Sequence, residues 1–485
     1  MPLILSGNVA SATAGGYEVA NSCRFNRADS ASMHITFSGA GDRQKFTFSF
    51  WVKRNKLGTQ EVIFDTNFDG GASEHRILFD SSDRLEYYDY ASSSTTLKYV
   101  TTRVFRDTSA WYSIIIAVDT TQGTAGNRVK IYINGTQETS FGTETQPDED
   151  LSTSLNTAVK HQIGTKNTGF NYLDVYLAEF VFIDGTQYAA SDFGEFDSDS
   201  PTIWKPIDVS GLTFGTNGFY LDFEDSADLG KDVSGNGNDL TVSNLDATDS
   251  ATDVPTNNFA TLNPLFFSAE RYTIEEGNLQ ITANVSSAWR SLYTTMPVTS
   301  GKWYFETKVD GIKDGSGNNI AIGIVDIEQV DQTLNNGKFF GTSRGYGYNG
   351  MNGQKLTNDT VTANGADYGD AYTAGDIVGC ALDLDNQKIY WSKDGTWQDS
   401  GDPTSGATGT GSAFDIGSGY TYTPVIANYY TEENYSFNFG GCPAFAITSN
   451  SGSGYQDANG FGKMEYAFPD TDYYCLCTAN LAEFG

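Results

Sequence analysis

Cysteine, histidine, proline and basic residues are all scarce in this 485-residue chain: five Cys, three His, 11 Pro, and 29 Lys plus Arg against 61 Asp plus Glu. Cys23, Cys380, Cys442, Cys475 and Cys477 show no repeated spacing, which excludes a disulfide framework. The single residue between Cys475 and Cys477 is not the two-residue gap of a zinc or redox motif. All five are expected to be small buried hydrophobes, made in a reducing cytoplasm. His34, His75 and His161 are scattered, with no pair spaced to hold a metal. No window approaches the ~20 apolar residues of a membrane helix, so membrane insertion is not expected. Met1-Pro2-Leu3-Ile4-Leu5-Ser6 has no basic region and only a short apolar run, so no signal peptide is expected there. The formal net charge of -32 repels phosphate backbones, and nucleic acid is not an expected partner.

What the chain has instead is aromatic residues at 14% and 52 glycines. Short runs alternating with period two are separated by Gly, Asn and Asp, the pattern of strands and turns. Phe46-Thr47-Phe48-Ser49-Phe50-Trp51-Val52 alternates bulky and small polar residues, so one face of that strand is core. Trp111–Val118 and Val129–Ile133 are expected to be neighbouring strands, the second running into the hairpin signal Asn134-Gly135. At roughly 150 residues per domain the length allows two or three domains. The fold class expected is all-β: two tandem antiparallel β-sandwiches with a short C-terminal extension. The boundaries are an N-terminal segment 1–22, a first sandwich 23–200, a connector 201–269, a second sandwich 270–445 and an extension 446–485. The connector contains one strand, at Gly218–Phe223, expected to complete the first sandwich.

Particular residues of the first half resemble the laminin-G and concanavalin-A-like lectin sandwiches. They are Cys23-Arg24-Phe25, Phe48–Val52, Trp111-Tyr112, Lys130–Gly135, Ile163-Gly164 and Tyr172-Leu173-Asp174 leading into Leu177-Ala178-Glu179-Phe180. In the second half, Gly301-Lys302-Trp303-Tyr304-Phe305-Glu306, Ala321–Ile324, Asp376–Asp383 with Lys388–Gly395, Tyr422–Val425 and Asn438-Phe439-Gly440 resemble SPRY domains. The order of the two, with the tail Tyr474–Leu481, is similar to structural proteins of phages that infect marine bacteria. That resemblance implies a virion component, a tail fibre or tail-associated adhesin favoured over the capsid. It would bind other virion proteins and a host-surface glycan or protein, as a homo-oligomer with a trimer favoured.

A glucanase built on such a sandwich would need two carboxylates on alternate positions of one strand, and only Glu195-Phe196-Asp197-Ser198-Asp199 approaches that. Its composition is that of a loop, and catalytic residues are not expected. Calcium is the one cofactor considered, because lectin sandwiches hold it at a loop rim with Asp, Asn and backbone oxygens. The candidates are Asp65 and Asp69 with Asp174, and separately Asp232 and Asn236, against the plainer reading that such residues make turns. For ligand binding, Tyr346, Tyr348, Asn349, Trp397 and Asp399 are expected at one rim of the second sandwich, where rings stack on sugars. Tyr87, Tyr88 and Tyr90 form an aromatic stripe that either packs in a sheet or faces a ligand. The function expected is a non-enzymatic virion adhesin. The alternatives are a capsid decoration or tail-scaffold protein with protein contacts only, and a glycan hydrolase.

Overall fold

Alternation decides the first unit, which spans Thr13–Thr256. Phe46, Phe48, Phe50 and Val52 enter the core while Thr47, Ser49, Trp51 and Lys53 lie on the other face of the same strand, Lys45–Arg54. The computed structural model describes Ile4 and residues 16–68, 73–166, 169–266, 271–284, 288–313, 320–330, 337–358 and 366–485. Among these residues, sheet 1 runs in the order Thr136–Gln137, Val129–Ile133, Trp111–Asp119, Lys45–Arg54, Val175–Asp184, Ser22–Phe25, Ser250–Ala251, with Phe219–Leu221 also on Val175–Asp184. Sheet 2 runs Phe141–Thr145, Ser94–Val104, Arg84–Ala91, Ser73–Phe79, Glu61–Phe68, Lys160–Ile163, Ser32–Thr36, Thr241–Ser243. The inner faces of the two sheets close over one aromatic core.

The expected neighbours Trp111–Val118 and Val129–Ile133 pair in register, Ile116 opposite Ile131. Asn134 and Gly135 both take left-handed backbone, φ 48° and 72°, as a two-residue hairpin turn requires. Gly135 has a second reason to be glycine, since a Cβ there would lie 2.2 Å from the Trp204 ring. In Val175–Asp184 the register shifts between Ala178 and Val181, with Glu179 left-handed at φ 51°. This bulge sends Val175 and Leu177, then Phe180 and Phe182, into the same core.

The outer face of sheet 1 carries Trp51, Trp111, Ile115 and Tyr176, all buried. Segments at 186–206 and 249–253 reach onto it. Trp204 donates from its indole to Ser113 at 3.2 Å, and Asp249 and Asp253 pair with Arg24 and Lys53 at 3.4 and 2.6 Å.

The second unit begins at Asn257 and includes Ile4, whose N–H donates to the Thr295 carbonyl at 2.9 Å. Sheet 3 runs Tyr272–Glu275, Gln280–Ala283, Asn434–Asn438, Lys302–Gly311, Ile377–Asp383, Lys388–Lys393, Thr396–Trp397, with Phe414–Asp415 also on Lys388–Lys393. Sheet 4 runs Arg290–Tyr293, Tyr422–Asn428, Ala321–Asp326, Gly345–Asn349, Gln354–Leu356, Ala366–Asp367. Residues 446–485 pack on the outer face of sheet 3, where Met464, Tyr473, Cys475 and Cys477 meet Tyr304, Ala381 and Tyr390. The tail ends in a seven-residue helix, Thr478–Phe484. All five cysteines are free and buried. No helix among the described residues is long and apolar enough to cross a membrane.

Glu306 anchors the tail from beneath. Its fully buried carboxylate accepts from the backbone N–H groups of Glu465 and Tyr466 at 2.9 and 2.8 Å, from Asn438 at 3.0 Å and from the Tyr304 hydroxyl at 3.1 Å. Desolvation outweighs these donors and pushes the carboxyl up from 4.5 to about 7. A raised carboxyl favours the folded state most below its unfolded value and loses that contribution as pH climbs through the folded one. At about 1.4 kcal/mol per unit, the effect is on the order of 3 kcal/mol. Denaturant titrations at pH 5 and pH 8 should therefore show the wild type losing stability relative to Glu306→Gln as pH rises. A constant difference between the two would remove Glu306 as the source.

Candidate binding surfaces

The five residues expected at a rim of the second unit do not form one. Tyr346, Tyr348 and Asn349 lie on the strand Gly345–Asn349 and are 8%, 0% and 6% exposed. Glycines alternate with tyrosines here, and the two faces use them differently. A Cβ at Gly347 would sit 3.0 Å from the Phe339 ring, so the glycines admit the Phe339–Gly341 turn onto the outer face. The tyrosines fill the core between the sheets: Tyr348 against Tyr368, Tyr372 and Trp391, and Tyr346 against Phe414 and Tyr422. Asn349 turns its side-chain oxygen to the Met351 N–H at 3.1 Å. Trp397 is half-buried beneath the tail, 6.3 Å from the Tyr304 ring, and of the five only Asp399 is exposed, in a left-handed turn.

The calcium candidates are mostly committed elsewhere. Asp65 is fully buried and accepts from Arg76 at 2.6 Å, so its charge is already neutralised. Asp174 is 5% exposed, with its N–H on Glu61 at 3.2 Å. Asp232 caps a turn: one oxygen takes the N–H groups of Tyr220 and Ser234, the other the Ser234 hydroxyl and the Asn238 N–H. Asn236 gives its amide to the carbonyls of Gly215 and Gly218. Asp69 lies outside the described residues. Among those described, no group of three or more His, Cys, Asp and Glu could hold a metal ion. The Glu195–Asp197 pattern also dissolves, since Asp197 is buried on Lys205 at 3.0 Å while Glu195 is exposed on a short hairpin.

The arrangement that could meet a ligand is on the outer face of sheet 2. Cross-strand register places Thr241, His34, Gln162, Asp65, Arg76, Tyr88, Lys98 and Thr145 in one row across all eight strands. At ~4.8 Å between strands the row is roughly 34 Å long. Every member is polar, because their sequence neighbours Met33, His161, Ile163, Phe64, Ile77, Tyr87, Leu97 and Tyr99 point the other way. This resolves the tyrosine stripe: Tyr87 is core, whereas Tyr88 and Tyr90 face outward and are half-buried. Asp65, Arg76 and Gln162 are buried, while His34, Tyr88 and Lys98 are half-exposed and Thr241 and Thr145 exposed.

Ion pairs fix these side chains. Arg76 reaches Glu74 at 2.9 Å as well as Asp65, Lys98 reaches Glu86 at 2.8 Å, and the Tyr88 hydroxyl donates to Glu74 at 2.8 Å. The cations of Arg76 and Lys98 lie 5.3 and 5.6 Å from the Tyr88 ring centre. Lys166 lies 3.8 Å from Glu74, beside a loop carrying Phe170, which is 66% exposed. Among these ion-paired groups three acids, Asp65, Glu74 and Glu86, face three bases, Arg76, Lys98 and Lys166. With the carboxylates engaged, the strip presents fixed donors and acceptors rather than a free acid or base. Sequence spacing could not reveal the row, since its members come from eight separate strands.

A second polar cluster went unsuspected. Glu179, at the bulge, accepts from Tyr220 at 2.7 Å and Tyr17 at 3.2 Å, and burial pushes its carboxyl up to about 7.

Two family models agree with this architecture. Residues 29–190 match the family model described as the concanavalin A-like lectin/glucanases superfamily, and residues 302–442 match the SPRY domain model. The chain carries a lectin-like domain followed by a SPRY domain. The Ran-binding proteins 9/10 homolog of Drosophila melanogaster is 27% identical over 128 residues, 25% of this chain and 12% of that protein. Ran-binding protein 9 of Danio rerio is 30% identical over 101 residues, 21% of this chain and 15% of that protein. This chain therefore spans a small fraction of those relatives' lengths. The SPRY domain of human HERC1 is 18% identical, covering 38% of this chain and 98% of that one, with a TM-score of 0.27. Domains LG4-5 of the mouse laminin alpha1 chain are 10% identical, covering 88% and 92%, with a TM-score of 0.30.

The burial of Tyr348 in the core can be tested directly. Removing a fully buried ring that also donates a hydrogen bond, as Tyr348 does to the Asp370 carbonyl, should cost about 3–5 kcal/mol. Tyr348→Ala should therefore lower the urea midpoint of the SPRY domain. A rim residue would change binding and leave that midpoint alone.

Proposed function

We propose that this chain is a non-enzymatic recognition protein whose lectin-like domain holds a surface glycan on the outer face of sheet 2. The observation that carries this reading is the continuous polar row from Thr241 to Thr145, on a face whose half-exposed members project between fixed ion pairs. A sugar chain offers hydroxyls along its whole length, and a line of oriented donors and acceptors suits it better than one deep pocket. On the other outer face of this sandwich, segments at 186–206 and 249–253 are already seated.

The setting we propose is a phage virion, as a tail fibre or tail-associated adhesin subunit, in keeping with the lectin-then-SPRY order and the tail Tyr474–Leu481. A homotrimer would let individually weak sites gain avidity on a host cell. The SPRY domain would then contact other virion proteins or a protein receptor. The matched relatives are named for binding Ran; that partner is theirs, and the resemblance supports only the broader idea of protein contact.

The test is binding of the purified full chain to a panel of bacterial capsular and O-antigen polysaccharides, with and without EDTA. His34→Ala, Lys98→Ala and Thr241→Ala combined should weaken saturable binding at least about tenfold, roughly 1.4 kcal/mol or more, without altering thermal unfolding. EDTA should leave binding intact, because Asp65, Asp232 and Asn236 are engaged with protein groups. Undiminished binding by the triple variant would remove sheet 2 from the account.

A further inference from the structure

Lys53 lies on the outer face of sheet 1, in register between Trp111 and Tyr176. Its Nζ is 2.6 Å from Oδ2 of Asp253, with the two side chains 1% and 2% exposed. Every other lysine ion pair among the described residues leaves the lysine side chain at least 13% exposed. The Trp111 indole donates to the second oxygen, Oδ1, at 3.1 Å, and the Ser22 hydroxyl holds the Asp253 carbonyl at 2.6 Å. Tyr176 closes the site, its ring centre 5.8 Å from Nζ and 6.4 Å from that of Trp111. An amine and a carboxyl are thus fixed in contact between aromatic walls, out of water.

We propose that Lys53 and Asp253 join in an intramolecular isopeptide bond. Holding two charges out of water is costly, and one proton passing from Nζ to Oδ2 leaves a neutral amine facing a neutral carboxyl. The amine lone pair attacks Cγ, the Nζ–Cγ bond forms, and the Cγ–Oδ2 bond breaks. Oδ2 departs as water with the two protons the nitrogen gave up, so no oxidant, metal or cofactor enters. The indole N–H on Oδ1 faces the oxygen where negative charge builds in the tetrahedral intermediate. Fixed contact supplies the rest, since well-oriented intramolecular pairs reach effective concentrations of about 10⁵ M and above. The neighbouring buried pairs Arg24–Asp249 and Arg54–Glu61 have no such outcome, because a guanidinium is not a nucleophile.

The position gives the bond a use. Asp253 follows Ser250–Ala251, an edge strand that pairs with Ser22–Phe25 through two residues only. Lys53 is in the central strand, and the two are 200 positions apart. The bond would fasten the segment by which the chain leaves the lectin-like domain to the middle of the sheet, against any pull on that end.

The experiment is intact-mass spectrometry of the full wild-type chain, followed by tryptic mapping. The expected result is a chain lighter than its sequence by one water, with a branched peptide joining position 53 to position 253 that survives mild base. Lys53→Arg and Asp253→Ala should each restore the full mass. Full mass with separate Lys53 and Asp253 peptides, in fresh and aged protein, would leave the pair as a plain ion pair and overturn the proposal. A missing water that mild base restores, or that persists in Lys53→Arg, would place the dehydration at an Asp-Gly succinimide and overturn it equally.

Discussion

A sandwich hides one face of each sheet, and what becomes of the two outer faces governs the rest of this molecule. Sheet 1 presents Trp51, Trp111, Ile115 and Tyr176 outward, and sheet 3 presents Tyr304 and Tyr390. Bare, these faces would be large apolar patches. The chain reaches over them with its own segments, at 186–206, 249–253 and 446–485. Short strands and turns bury little area per residue, so buried polar contacts set their placement: Lys53 with Asp253, Arg24 with Asp249, and Glu306 with the backbone of Glu465 and Tyr466. Such groups add modest net stability, but once buried they tolerate only one register.

Local pattern carried the fold. The alternation at Phe46–Val52, the Asn134-Gly135 turn and the paired runs Ile377–Asp383 and Lys388–Lys393 each state their own geometry, and the strands form as that pattern implies. The sites were less legible, because a side chain's partner is set by register between distant strands. Asp65 reads as a loop-rim ligand until Arg76 is seen opposite it. Tyr346, Tyr348 and Asn349 read as rim residues because rings beside polar groups suit a sugar, yet they sit on a buried strand whose glycines make room for Phe339. Leu177-Ala178-Glu179-Phe180 is bulged strand, while the identical Leu481-Ala482-Glu483-Phe484 is helix. Four residues do not decide a conformation that packing can override.

Charge separates the two scales on which the protein meets a partner. At long range the net charge of -32 repels polyanions. At short range the strip on sheet 2 balances Asp65, Glu74 and Glu86 against Arg76, Lys98 and Lys166. A partner recognised there would be held by hydrogen bonds rather than net attraction. Salt should therefore matter little to its affinity, as suits a surface that works by many weak contacts.

Hydroxyl-radical footprinting of the full chain, with and without a saturating polysaccharide selected from the binding panel, addresses that surface most directly. Protection of Tyr88, Lys98 and His34, with Trp51 and Trp111 unchanged, is the result this account predicts. Protection confined to the SPRY domain, with the sheet 2 row labelled equally in both states, would contradict it.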